Sequence, residues 1–129
     1  MYTLKSKELV EITVPNTRNE KKNVILKIIT RGFYFSGNKK DANYNVVMNG
    51  EYFYTENGED ITLDQYSKTP RPIATLQALQ VGLPALSDTQ DVCANILQRI
   101  PELTEAMITA EGPDNNYGLT MADLEEDLS

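Results

Sequence analysis

YNVVMNGEYFYTENGEDITL, residues 44–63, carries two Asn-Gly pairs, Asn49-Gly50 and Asn57-Gly58, set among β-forming residues. Such a pair is the strongest short-range hairpin signal, because a type I′ turn needs positive φ at both central positions. The pairs recur eight residues apart, and the spacing predicts a three-stranded antiparallel meander with strands at 44–48, 51–56 and 59–63. Two-residue turns also set the register. The first places Met48 opposite Glu51, Val47 opposite Tyr52 and Val46 opposite Phe53. The second places Glu56 opposite Glu59, Tyr54 opposite Ile61 and Tyr52 opposite Leu63.

Alternation along these strands puts Val47, Tyr52, Tyr54, Ile61 and Leu63 on one face and Tyr44, Val46, Met48 and Phe53 on the other. Neither face is plainly polar. A sheet apolar on both sides is covered on both or keeps one for a partner, so Tyr52 and Tyr54 are candidate partner contacts. Glu56 against Glu59 sets like charges opposite each other, which argues for a looser second hairpin and a firmer first one.

Upstream, residues 9–14 (LVEITV) alternate and read as a strand ending at Pro15, followed by a polar, mostly basic connection at 16–23. Residues 23–30 (NVILKIIT) are rich in β-branched residues and apolar on both faces, as a central strand is. That strand can continue through Gly32 into Phe33-Tyr34-Phe35, the glycine marking a bulge or bend. Residues 36–43 then read as a loop carrying Lys39 and Lys40.

Downstream the texture turns helical. Pro72 suits a first helical turn, and 73–81 reads as a short helix stopped by Gly82 and Pro84. Ser87 and Gln90 form a capping box for a helix at 88–99, whose Val92, Cys93, Ile96, Leu97 and Ile100 make an apolar stripe. Pro101 kinks that helix or begins another at 102–110, with Leu103, Ala106, Met107 and Ala110 inward. Strands first and helices afterwards predict an α+β fold: an antiparallel sheet of about five strands with two or three helices on one face.

The 129 residues suit one domain with a real core, here placed at 1–112 and followed by a tail at 113–129. The net charge of −7 is localised. Residues 1–99 hold all 12 basic and 11 of the 19 acidic residues, a balance of +1, and 100–129 hold the other 8 acidic residues. Within that acidic tail, Thr120 can cap a helical turn with Asp123 at its third position. Met121, Leu124 and Leu128 then line one apolar edge. A segment so short is not stable alone and has the form of a peptide that folds into a partner's groove. Met121, Leu124 and Leu128 therefore join Tyr52 and Tyr54 as expected partner-binding residues.

Several chemistries lack their residues. There is no histidine, so the side chain best suited to proton transfer at neutral pH is missing, with every triad or metal cage built on it. The single cysteine, Cys93, falls on an apolar helix stripe with no base beside it, and one cysteine cannot form an internal disulfide. No phosphate loop, dinucleotide fingerprint or calcium loop is present. We expect no catalytic, metal or cofactor-binding residues, and no enzyme. No apolar run is long enough for a bilayer, and MYTLKSKELVEI has no apolar signal core, so the expected location is cytoplasmic or within a viral particle.

Arg31-Gly32-Phe33-Tyr34-Phe35 resembles the opening of the RNP1 signature of RNA-binding sheets, but departs from it at Tyr34, where Gly or Ala stands. The leading expectation is a non-enzymatic interaction protein, a small subunit or adaptor of a larger assembly such as a virus particle. One sheet face and the tail are its contact surfaces for other protein chains. Two alternatives stand beside it. One is single-stranded nucleic-acid binding on Phe33, Tyr52 and Tyr54, with Lys21, Lys22, Lys39 and Lys40 as the basic groove. The other is an acidic decoy for a basic protein.

Overall fold

A computed structural model describes residues 2–38, 43–68, 94 and 96–128, with backbone alone at 35–38 and 43–45. Its strands are β1 (Tyr2–Ser6), β2 (Val10–Thr13), β3 (Lys21–Val24), β4 (Lys27–Asn38), β5 (Asn43–Glu56), β6 (Glu59–Lys68) and β7 (Leu124–Glu126). Among the described residues, helix α1 (Ile100–Glu111) and 3-10 turns at Pro113–Asn115 and Met121–Asp123 lie between β6 and β7. Five strands form an antiparallel sheet in the order β6-β5-β4-β1-β7, and β2 with β3 forms a separate hairpin. The fold is α+β and dominated by sheet.

Asn49-Gly50 is not a turn. It lies inside β5, which runs 14 residues and pairs with β4 from Asn43 to Phe53. A straight strand gathers Val46, Met48, Tyr52 and Tyr54 on one buried side, while Val47, Asn49, Glu51, Phe53 and Thr55 alternate on the other, where Phe53 is buried as well. Tyr66 decides the matter. Gly50 stands opposite Thr30 on one neighbour and Tyr66 on the other. A Cβ at Gly50 would come within 1.9 Å of the Ile29 carbonyl oxygen and 2.3 Å of the Tyr66 hydroxyl. The glycine serves close packing, not a turn.

The turn expected to be looser is the one that forms. Asn57 and Gly58 have φ of 52° and 81°, the type I′ pattern, and Glu56 pairs with Glu59, Thr55 with Asp60 and Tyr54 with Ile61. Repulsion between Glu56 and Glu59 is relieved from outside the hairpin, because Lys22 on β3 binds Glu56 at 2.5 Å. Past Tyr54 the register slips between Tyr52 and Phe53, so Tyr52 faces Asp64 and not Leu63. A second slip in β4, between Thr30 and Gly32, places a bulge near the expected glycine.

Helix content is lower than expected among the described residues, where α1 is the one full helix. Residues 94 and 96–98 are helical and end in a turn at Arg99; the expected helix at 73–81 and most of that at 88–99 lie outside the described residues. Pro101 begins α1, where a missing N–H costs nothing. The buried stripe of α1 is Ile100, Leu103, Thr104, Met107 and Ile108, so Leu103 and Met107 point inward while Ala110 is exposed. These side chains close the core over Leu26, Ile28, Val46, Met48 and Tyr52.

The acidic tail folds as part of the same sheet. Leu124, Glu125 and Glu126 form β7 and pair with Ser6, Lys5 and Leu4 of β1, a strand not among those expected from sequence. Asp127 N–H donates to the Thr3 carbonyl at 2.8 Å, and its carboxylate binds Lys27 at 3.3 Å. The tail's acids thus meet the lysines of the first strands. The cap expected at Thr120 forms at the start of the Met121–Asp123 turn: Asp123 accepts from the Thr120 backbone N–H and hydroxyl, both at 3.0 Å. Those bonds, with Lys7 nearby, hold the Asp123 carboxyl below its ordinary range.

Candidate contact surface

The structure spends most of the expected partner-binding residues inside the chain itself. Tyr52 and Tyr54 are each 1% exposed, and Leu124 is 5% exposed. Met121 is partly buried against the same core. Only Leu128, at 84%, stands in solvent. Tyr52 and Tyr54 went to the inner face because β5 is straight, and Leu124 because a core beside β1 needed an apolar edge residue. The aromatic platform for stacked bases is therefore not displayed, since two of its three rings are interior. Its cations are engaged as well: Lys21 donates to Thr13 at 2.7 Å and Lys22 binds Glu56, while Lys39 and Lys40 lie outside the described residues.

Two buried polar chains brace the sheet from behind. Tyr66 donates to the Ile29 carbonyl at 3.0 Å, and its oxygen lies 2.9 Å from the Thr30 hydroxyl, itself 2.7 Å from that of Thr104. Each hydroxyl has one proton, so Thr104 gives to Thr30, Thr30 to Tyr66, and Tyr66 to the backbone next to the bulge. The second chain runs from the Tyr52 hydroxyl to Asn116 Oδ1 at 2.6 Å. The Asn116 amide nitrogen donates on to the Ile108 and Gly112 carbonyls at the end of α1. Asn116 is fully buried and uses both ends of its amide. No spacing rule in the sequence links residues so far apart.

This bracing leaves an open margin. Among the described residues no strand lies outside β6, which shows a ten-residue edge. Beyond that edge the β4–β5 hairpin overhangs. β6 pairs with β5 no farther than Met48, and β1 pairs with β4 no farther than Thr30, yet β4 and β5 continue together to Asn38 and Asn43. The rungs from Tyr34–Val47 outward form a two-stranded ribbon with no third strand among the described residues. Tyr34 is 53% exposed on it. A strand edge is a row of backbone donors and acceptors, and its chemistry is strand addition.

Behind β6 sits a ring cluster. Tyr52 meets Tyr66 edge-on at 5.6 Å and Tyr117 at 5.3 Å. Lys68 Nζ lies 5.7 Å from the Tyr52 centroid and 3.6 Å from Glu111. Burial pushes the Tyr66 hydroxyl up to about 12 against a small opposing effect of the Thr30 bond. Burial also raises Tyr52 and Tyr117, and the Asp64 charge adds to both. These phenols stay neutral well into alkali.

Elsewhere, Leu9 stands 66% exposed between two shallow depressions of about 370 and 460 Å3. Lys22 and Lys27 line the larger, and both are ion-paired. Among the described residues no three His, Cys, Asp or Glu side chains gather where they could hold a metal, and no helix is long and apolar enough to cross a membrane. No protein-family model matches this chain, and comparison with curated proteins and with solved structures finds no match.

Proposed function

We propose that this chain is a non-enzymatic subunit or adaptor of a larger protein assembly, of the kind a virus particle contains, and that it joins its neighbours by strand addition. The observation that carries the reading is the margin that no other described strand covers: a ten-residue edge on β6 beside an overhanging β4–β5 ribbon. Long bare edges are a hazard for a protein that stays alone, because backbone groups there invite pairing. An assembly component turns that hazard into its contact. The sheet margin thereby replaces the tail and the Tyr52–Tyr54 face as the surface offered to other chains. No observation favours nucleic-acid binding over this reading. Light scattering and native mass spectrometry of the full chain test it from micromolar to millimolar protein. Species at multiples of the 14.5 kDa chain are expected; a chain at the monomer mass throughout overturns the proposal.

A further inference from the structure

Strand addition along β6 leaves open what is added. The two halves of β6 differ. The register against β5 is unbroken from Met48–Lys68 to Tyr52–Asp64 and slips just beyond, so Leu63 is an extra residue in the edge. A bulge of that kind bends a strand and blocks pairing on its outer side. The segment 64–68 is the part that stays regular.

We propose that this segment pairs antiparallel with the same segment of a second copy, about a twofold axis at Tyr66. The inference rests on the assembly reading above and names its partner. Symmetry narrows the choice. A twofold axis through an antiparallel pair passes between a residue and its own counterpart, so only registers centred on one residue are allowed. Centring on Asp64 sets two carboxylates face to face. Centring on Leu63 puts the bulge on the axis, and centring on Gln65 or Ser67 leaves only three rungs within the regular segment. Centring on Tyr66 uses the regular segment and no more. It sets Asp64 opposite Lys68 of the second copy, Gln65 opposite Ser67, and the reverse on the far side of the axis. Opposite residues share a face, so two Asp–Lys pairs lie beside the Tyr66 backbone and two Gln–Ser pairs lie on the other side.

The side chains are placed for it. Asp64, Gln65 and Ser67 are exposed, and the Lys68 side chain keeps 25% of its surface open. The Lys68 ammonium has three donors; it contacts Glu111 at 3.6 Å and lies 5.7 and 6.0 Å from the Tyr52 and Tyr66 ring centres, which take up no donor that a carboxylate would need. An edge of this length is a small interface, so the dimer belongs to the micromolar class.

Charge complementation on the full chain tests the register. D64K sets Lys against Lys68 of the second copy, and K68D sets Asp against Asp64. Each variant alone is expected to raise the dimer dissociation constant about tenfold by sedimentation equilibrium. An equimolar mixture restores wild-type affinity, since the mixed pair regains both Asp–Lys contacts. Circular dichroism checks folding; if K68D loses the wild-type spectrum beside Glu111, K68Q replaces it and D64K with K68Q must still exceed D64K alone. Variants that dimerise as well as wild type, or a mixture as weak as its parts, overturn the edge assignment while the assembly reading stands. A wild-type chain that stays monomeric throughout overturns both.

Discussion

Gly50 is the residue on which the two readings of residues 44–63 part. As a turn glycine it would tolerate alanine at the cost of local strain; as a packing glycine it has no room for a methyl group. Its hypothetical Cβ meets a backbone carbonyl at 1.9 Å, and backbone cannot swing aside as a flexible side chain can. Gly50→Ala is therefore expected to destabilise by about 3 kcal/mol, the upper end of overpacking costs, read from the urea midpoint. Tyr66→Phe keeps the ring and removes the hydroxyl that serves Ile29 and Thr30. Its expected cost is about 1–3 kcal/mol, because buried polar partners are left unmet. Little change in that variant would remove the hydroxyl chain from the account of why β5 is straight.

At the scale of elements, β7 shows how a tail becomes structure. Leu124→Ala opens a cavity in the core at a 5% exposed site, with an expected loss of about 2–5 kcal/mol and a lower melting temperature. Leu128→Ala, on a side chain 84% exposed, should leave melting unchanged within about 0.5 kcal/mol. If the two variants behaved alike, β7 would not be the docked edge strand described. The Asn57-Gly58 turn is a companion case. Gly58 sits at φ 81°, so Gly58→Ala is expected to cost about 1 kcal/mol through strain alone, with open space around the new methyl.

For the whole molecule, alkali is the revealing variable. Burial raises the Tyr52 and Tyr66 hydroxyls above the ordinary phenol value of 10.0, Tyr66 to about 12. Because the folded values lie above the unfolded one, the unfolded chain loses its protons first as pH rises. The stabilising contribution is whole below pH 10 and is lost as pH climbs through about 12. The share of tyrosinate absorbance that comes from Tyr52 and Tyr66 should then rise in one cooperative step together with loss of the circular dichroism signal. Independent titration of those phenols in a folded chain would contradict their burial.

Much was legible from local pattern. The first strands ahead of the helix, the bulge beside Gly32, one of the two turn signals, one of the two readings of Pro101 and the Thr120–Asp123 cap all follow from neighbours within a few residues, whose steric and hydrogen-bonding demands are written in sequence. What tertiary structure alone decided is which of two locally equal signals was used and where each apolar residue went. Asn49-Gly50 and Asn57-Gly58 have the same propensity; the first was overridden because β4 supplied a long partner strand and Tyr66 needed the space above Gly50. Leu124 fits a helix edge or a strand equally, and the bare edge of β1 chose the strand. Backbone groups must find partners, and those partners lie far along the chain, where no short window of sequence reaches.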